Sequence, residues 1–227
     1  TDCSTSAQID ANDDRYLIEL MHDANGRDVD LLLETNGGVT DATEKLVTVL
    51  RQRVRHLRVI VPRRAKSNGT LLTLAADAIL MGDTSELGPM DPMLAVEPGS
   101  FVPAHFILDS GDQVDPFVHK LALNAILQTQ KLARSLLKTG MLKGRPDAMV
   151  ERIVAELSTR DVYHSHGSVV DARAAAELGL EVAVAAPDDE LWRRLWLLRC
   201  MYDADARRDG FAKIFEGRTV SHAIRQG

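Results

Sequence analysis

The sequence predicts an α/β fold built on a parallel sheet, with a second half made mainly of helices. Three short, mostly apolar runs, at residues 29–35, 57–62 and 78–82, are typical of strands buried on both faces of a sheet. Segments with helical spacing of apolar residues separate these runs. Strands that alternate with helices form βαβ units, in which right-handed crossovers connect parallel strands.

The chain begins with two segments that precede the first strand. Residues 1–12 are small and polar, and we expect a flexible lead-in there. Residues 13–23 carry apolar side chains at helical spacing, and the turn dipeptide Asn25-Gly26 follows. We therefore predict a helix before the first strand.

Two more helices are expected after the first and second strands. Thr40 or Asp41 would cap a helix that ends near Arg53. Glu44 lies near the capping-box position of this helix. After the second strand, apolar residues predict a third helix over residues 69–76.

The second half of the chain differs from the first. Residues 83–115 are rich in proline and show no long periodic stretch, which is typical of functional loops. Helical patterns dominate the remainder. The predicted elements are helices over residues 116–138, 147–157, 171–180 and 188–205, a strand over residues 181–186, and a hairpin that turns at Glu216-Gly217.

Composition excludes several classes of function. The net charge is −6, so the sequence lacks the basic surface expected of a nucleic-acid-binding protein. No two glycines are separated by a single residue, which argues against a dinucleotide cofactor. Cys3 and Cys200 form no metal-ligand pattern. We therefore expect neither a metal nor another cofactor.

The cysteines and the apolar runs also predict a location. Two widely separated cysteines suggest free thiols in a reducing compartment, so we expect a cytoplasmic protein. No apolar run reaches the roughly 18 residues of a membrane span. Membrane association is expected only through a segment outside the given sequence.

Ser67 is the first candidate for chemistry. It lies between the second strand and the third helix, at the sheet edge where open α/β folds bind ligands. The amino terminus of a helix offers free N–H groups that favour developing negative charge, as acyl transfer requires. The alternative is that Ser67 only caps the helix.

A glycine pair strengthens the first interpretation. Gly37 and Gly38 end the neighbouring strand, so the Gly38 and Asn68 amides could form an oxyanion hole that faces Ser67. Gly69 would let the backbone approach a ligand closely. The alternative for the pair is a tight turn that requires positive φ.

Three stretches carry a family resemblance. They are DLLLETNGG, RVIVPRRAKSNGTLLTLAADAILMGDTSELGPMDP and DARAAAELGL. Together they resemble the serine dehydrogenase proteinase family, which belongs to the Clp protease/crotonase superfamily and is similar to signal peptide peptidase A. The resemblance covers about residues 29 to 190.

The resemblance implies a fold, a domain division and an assembly. It implies a Clp protease/crotonase-type fold of stacked ββα units, with a hydrolase domain over residues 13–190. Members of the superfamily form trimers, hexamers or larger rings, so we expect a homo-oligomer. The helix and hairpin of residues 191–227, with Trp196 and the neighbouring Trp192, are candidates for subunit contacts; alternatively, both Trp side chains pack inside the protomer.

By the same resemblance, the protein is an ATP-independent serine peptidase that acts on peptides or proteins. Ser67 is then the nucleophile, and the amides of Gly38 and Asn68 form the oxyanion hole. The family's TPGG and SGGT patterns read TNGG and SNGT here. Neither change removes a backbone donor.

The general base has two candidate sources. The region where Clp-type peptidases carry a histidine, about 25 residues after the serine, has none here. A lysine base would form a Ser-Lys dyad, for which Lys120 and Lys131 are candidates, together with Lys138 on the same helix. A loose alignment places Asn124 where the family's lysine is expected.

His166 is the other candidate base. It matches a histidine that the family shows shortly before the ELGL helix, and Gly167 replaces the aspartate expected next to it. Asp161 lies upstream and could orient the imidazole, which would complete a Ser-His-Asp arrangement. The alternative is a loop histidine that bonds to the backbone.

Two other functions remain open. The degenerate base positions would suit a catalytically inactive scaffold or peptide binder. A crotonase-like acyl-CoA enzyme would share the fold and the oxyanion hole, but such enzymes do not need a serine at the start of the helix.

Overall fold

A computed structural model describes residues 8–97 and 99–225. The strands are β1 (Asp28–Leu32), β2 (His56–Val61), β3 (Arg64–Ala65), β4 (Ala78–Met81), β5 (Glu86–Leu87), β6 (Met93–Glu97), β7 (Ser100–Pro103), β8 (Val170–Asp171), β9 (Val182–Val184), β10 (Phe211–Glu216) and β11 (Ser221–Arg225). The helices are α1 (Asp13–Leu20), α2 (Thr40–Arg53), α3 (Asn68–Leu74), α4 (Ala104–Asp109), α5 (Pro116–Thr139), α6 (Asp147–Ser158), α7 (Ala172–Leu178) and α8 (Glu190–Asp209).

The central sheet is parallel, with strand order β1-β2-β4-β9. This confirms the predicted α/β class and all four of the strands predicted for the sheet. The inner strands are apolar because both of their faces are covered: Leu57, Val59 and Ile79 are fully buried. Leucine, valine, isoleucine and alanine side chains make up most of the core around them.

A second, smaller sheet joins segments that are far apart in the chain. Its order is β3-β5-β8, with β3 and β5 parallel and β5 and β8 antiparallel. The sequence did not predict these strands, since two residues cannot show a period. Residues 83–115 contain β5, the hairpin of β6 and β7, and α4, so the region is more regular than the expected loop.

The start of α2 differs from the prediction. Its N-cap residue is Val39, in an extended conformation and without a side-chain cap. Thr40 is already helical, and Asp41 instead accepts a hydrogen bond from Gln128 of α5. The prediction that Thr40 or Asp41 caps α2 is therefore wrong. The backbone before the helix is held by a hydrogen bond from Val39 N to Ile9 O, so the cap position is set by this contact and not by a capping side chain.

The lead-in is anchored at Ile9, which is buried. Its N–H donates to Gly37 O at 2.8 Å, and its carbonyl accepts from Val39 N at 2.9 Å. Ile9 is therefore not part of a loose segment, contrary to the expectation for residues 1–12. Residues 1–7 of that expectation, which include Cys3, lie outside the described residues.

The carboxy-terminal helix and hairpin are present as predicted. Trp192 of α8 is buried, and a Cβ atom on Gly82 would lie 2.3 Å from its ring. Trp196 is only partly exposed. Arg199 bonds to both carboxylate oxygens of Glu34, and these hydrogen bonds raise the pKa of Arg199 above its usual range. Trp192 thus packs inside the protomer, and a role of this region in subunit contacts remains a prediction.

No helix within the described ranges combines the length and the apolar composition that a bilayer-spanning segment needs. Among the same residues, no cluster of His, Cys, Asp and Glu side chains has the arrangement of a metal site.

Candidate active site

The small sheet brings together the segments that carry the candidate residues. β3 ends two residues before Ser67, β5 ends shortly before Asp91, and β8 begins four residues after His166. Thr35, at the start of the loop that contains Gly37 and Gly38 (residues 35–38, the glycine loop), also pairs with Ala65 of β3. Four chain segments therefore meet where the sequence predicted the site.

Ser67 has an unusual backbone conformation. Its φ is 53° and its ψ is −117°, and it is the only non-glycine residue with positive φ within the described residues. Conformations of this kind cost about 1–3 kcal/mol and are concentrated at functional sites. Ser67 precedes α3 at the N-cap position, but its side chain makes no capping hydrogen bond. The structure therefore gives no support to the alternative that Ser67 only caps the helix.

The glycine loop lies directly against the serine. A Cβ atom on Gly37 would be 2.8 Å from the Cβ of Ser67 and 2.9 Å from the carbonyl oxygen of Lys66. Gly37 and Gly38 have φ values of 103° and 153°, which other residues rarely adopt. A Cβ atom on Gly69 would in turn lie 2.5 Å from Thr35 Cγ2. Glycine is thus required at positions 37 and 69, where a side chain would collide with the opposite loop.

Two backbone amides are available near the serine. Among the described residues, neither Gly38 N nor Asn68 N donates a hydrogen bond. In contrast, Gly37 N donates to Thr35 Oγ1, and Gly69 N donates to Lys66 O. Of the four predicted binding residues, Gly38 and Asn68 therefore have free donors, whereas Gly37 and Gly69 allow close packing.

His166 is held by a carboxylate that the sequence analysis did not select. Its Nδ1 donates to Asp91 Oδ1 at 2.8 Å, and Asp91 is fully buried. The other oxygen of Asp91 accepts from Arg160 Nη1 at 2.7 Å. Asp161 is exposed, so the prediction that it orients His166 is wrong. The sequence signal for Asp91 is its place in the LGPMDP stretch, the region where Clp-type peptidases carry a histidine.

Comparison with known proteins assigns the chain to a family. The family described as ClpP-like SDH-type serine proteinase matches residues 8–203. The chain belongs to this family. It is 30% identical over 187 residues to uncharacterized protein MJ0137 of Methanocaldococcus jannaschii, with 80% of this chain and 61% of the relative covered. It is 29% identical over 163 residues to MJ1495 of the same organism, with 70% and 53% covered. The chain thus spans a little over half the length of these curated relatives.

A solved structure shares the fold of this chain. The 1510-N membrane-bound stomatin-specific protease, in a mutant form, aligns with a TM-score of 0.53 and 24% sequence identity. The alignment covers 81% of this chain and 78% of that one. The protein therefore has the Clp protease-type fold that the sequence predicted.

The predicted lysine bases lie in a different environment from Ser67 and His166. A lysine acts as a general base only where burial disfavours its ammonium form. Lys120 and Lys131 are both exposed on α5, and Asn124 between them is exposed as well. Lys138 pairs with Asp147 at 2.8 Å. The structure therefore offers none of them the surroundings of a lysine base.

Lys66, next to the serine, has a mostly buried side chain. Its ammonium pairs with Glu86 at 3.1 Å and donates to the carbonyl oxygens of Leu87 at 3.1 Å and Ser168 at 2.9 Å. Of the basic residues before the serine, Arg63 is exposed, whereas Lys66 is not. Lys66 therefore joins the serine loop to the segments that carry Asp91 and His166.

A cavity of about 740 Å³ lies elsewhere, between β1, α8 and β10. Neither Ser67 nor His166 lines it. The cavity reaches the glycine loop at Thr35 but not the proposed catalytic side chains.

Proposed function

We propose that this SDH-type proteinase is an active, ATP-independent serine peptidase that cleaves peptides or proteins through an acyl-enzyme on Ser67. The observation that carries the proposal is the strained backbone of Ser67 beside two amides that have no hydrogen-bond partner among the described residues. Strain at a serine that makes no capping bond is a feature for which folding alone gives no reason. Membership of a family of serine proteinases supports the same reaction class.

The proposed reaction uses these groups in turn. Ser67 Oγ attacks the carbonyl carbon, and Nε2 of His166 accepts the hydroxyl proton. The amides of Gly38 and Asn68 stabilise the negative carbonyl oxygen. His166 then returns the proton to the leaving amine, and a water molecule hydrolyses the acyl-enzyme by the same route.

Asp91 supports His166 as the base. A carboxylate that accepts from Nδ1 leaves Nε2 as the unprotonated nitrogen, which is the form that removes a proton. Among the described residues, the Ser67 hydroxyl makes no hydrogen bond to this or any other side chain. Catalytic hydrogen bonds often tighten only when substrate binds.

We also propose that the protein works as a homo-oligomer in a reducing, cytoplasmic compartment. Leu197 and Met201 of α8 are apolar and 61% and 56% exposed, which supports a contact there. Cys200 is a free cysteine, as a reducing compartment allows. Light scattering of the protein and of Leu197→Asp tests the assembly: loss of mass in the variant supports it, and a monomeric parent contradicts it.

The reaction is tested with a fluorophosphonate probe, which labels activated serines covalently. We expect labelling at Ser67, located by mass spectrometry, and its loss in Ser67→Ala. Ser135→Ala, which removes an exposed hydroxyl on α5, is the matched control and should label like the parent protein.

The competing functions give different results. A folded protein without labelling at any pH from 6 to 10 would contradict the peptidase and indicate an inactive scaffold. Saturable binding of a CoA thioester, together with no labelling, would indicate a crotonase-like acyl-CoA enzyme.

A further inference from the structure

The Asn68 side chain connects the two loops that supply the proposed oxyanion hole. Its Nδ2 donates to the carbonyl oxygen of Gly38 at 2.6 Å. The same two residues carry the unpaired amides. The resembled SGGT pattern has glycine at this position, which would keep the backbone donor but would lack the side chain.

The backbone of the glycine loop is held on its other side by Ile9. Gly37 O accepts from Ile9 N at 2.8 Å. In a trans peptide, the carbonyl and the next N–H point in opposite directions, so this bond turns the Gly38 N–H away from Ile9. Val39 N donates to Ile9 O at 2.9 Å. The carbonyl of Gly38 is not bonded to Ile9, and it accepts from Asn68 Nδ2 instead.

The amide orientation of Asn68 is determined by its partner. Only the –NH₂ end can face a carbonyl oxygen, because two acceptors would repel each other. Asn68 is 6% exposed, and its Oδ1 is buried without a hydrogen-bond partner among the described residues. Burying an acceptor without a partner is unfavourable, so filling space does not account for an asparagine here.

We propose that the Asn68 side chain is a positioning residue, which fixes the distance between the Gly38 amide and its own backbone amide. This inference rests on the proposed function, since it assigns the side chain a role in the same oxyanion hole. Glycine loops are free to rotate their peptide planes, and a donor displaced by a fraction of an ångström stabilises the oxyanion less. Asn68 limits that rotation from the serine side, and Ile9 limits it from the other.

Kinetics of Asn68→Ala and Asn68→Asp with p-nitrophenyl butyrate test this proposal. Asn68→Ala removes the tether and keeps both backbone amides, so we expect kcat to fall about 10- to 100-fold with little change in KM. Asn68→Asp has the same shape but replaces the donor with a negative oxygen. It should lose more activity than Asn68→Ala, because that oxygen repels both the Gly38 carbonyl and the developing oxyanion.

Thr73→Val is the matched control. Thr73 is fully buried on the same helix, and its Oγ1 donates to the carbonyl oxygen of Gly69 at 2.8 Å. Thr73→Val removes this buried side-chain hydrogen bond without changing the glycine loop. The substitution should therefore lower the melting temperature and leave kcat unchanged. Melting curves of all variants show that the protein assayed is folded.

Each remaining outcome is decisive. If the parent protein is active and both Asn68 variants keep its kcat, or lose activity only through KM, the positioning role is overturned while the peptidase proposal stands. If the parent protein neither turns over the ester nor reacts with fluorophosphonate, the proposed function is overturned and this inference with it.

Discussion

Asp91 and His166 are separated by 75 positions in the chain, and their side chains meet at 2.8 Å. The contact joins the segment after β5 to the segment before β8, and its carboxylate is fully buried whereas His166 is partly exposed. Arg160 occupies the second oxygen of the carboxylate, so Asp91 has little freedom to take another partner. The pair therefore gives His166 a fixed orientation.

Asp91→Asn should reduce kcat by about 10²- to 10⁴-fold, because an amide can stabilise the wrong tautomer of His166 and cannot stabilise the imidazolium. Asp161→Asn, a change at an exposed position in the loop that carries His166, should keep the parent rate. Steady-state kinetics across pH checks both variants. A parent-like pH–rate profile for Asp91→Asn would exclude His166 as a base that depends on this carboxylate.

Lys120→Met and Lys131→Met should each retain the parent kcat, alone and combined, because both lysines are exposed on α5. The measurement is ester hydrolysis alongside the rate of fluorophosphonate labelling. If either variant loses both activities while keeping its melting temperature, a Ser-Lys dyad replaces the histidine mechanism proposed here.

Ser67→Gly should be more stable than Ser67→Ala by about 1 kcal/mol, because glycine adopts positive φ without strain whereas alanine does not. Both variants should be inactive. Urea unfolding at neutral pH gives the difference in the free energy of unfolding. Equal stabilities would mean that the backbone at Ser67 is not strained.

Lys213→Met should destabilise the protein by about 3 kcal/mol at neutral pH, since it removes a nearly buried cation from two carboxylates. Lys213 Nζ contacts Asp10 at 2.6 Å and Asp13 at 2.8 Å. Its hydrogen bond lowers the pKa of Asp10, whereas burial raises the pKa of Asp13 above its usual value. Lys143→Met, at an exposed site, is the control.

The two pKa shifts give this last effect a definite pH dependence. Asp10 contributes stability above its unfolded pKa of 3.8 and loses it as the pH falls through the lowered folded value. Asp13 is destabilised when ionised, and its protonation on acidification removes that penalty. The stability difference between the parent protein and Lys213→Met should therefore shrink as the pH falls from 7 towards 3.8. A constant difference would contradict the assignment.

The parallel sheet could be predicted because burial on both faces gives each strand a continuous apolar run. Ser67 and Gly37 could be selected because they end such strands, and ends of parallel strands lie at one edge of the sheet. The cap at Val39 could not be predicted, since it depends on a hydrogen bond that Val39 N donates to Ile9 O, far away in the sequence. Local side-chain preference was overridden by this tertiary contact.

The carboxylate that binds His166 could not be predicted from the sequence either. Asp161 is near in sequence and Asp91 is distant, and proximity along the chain favoured the wrong carboxylate. The strands that bring Asp91 close have two residues each, which is too short for any period to be recognised. Their pairing is visible only once the fold is known.

Lys66 gives the site a mechanical property. The Lys66 ammonium group binds both the strand before Asp91 and the loop after His166, and Lys66 itself precedes Ser67 in the chain. A sideways shift of any one of these loops would pull on the others through a single side chain. Movement of any of these loops relative to the others would therefore be concerted rather than the independent fluctuation of separate loops.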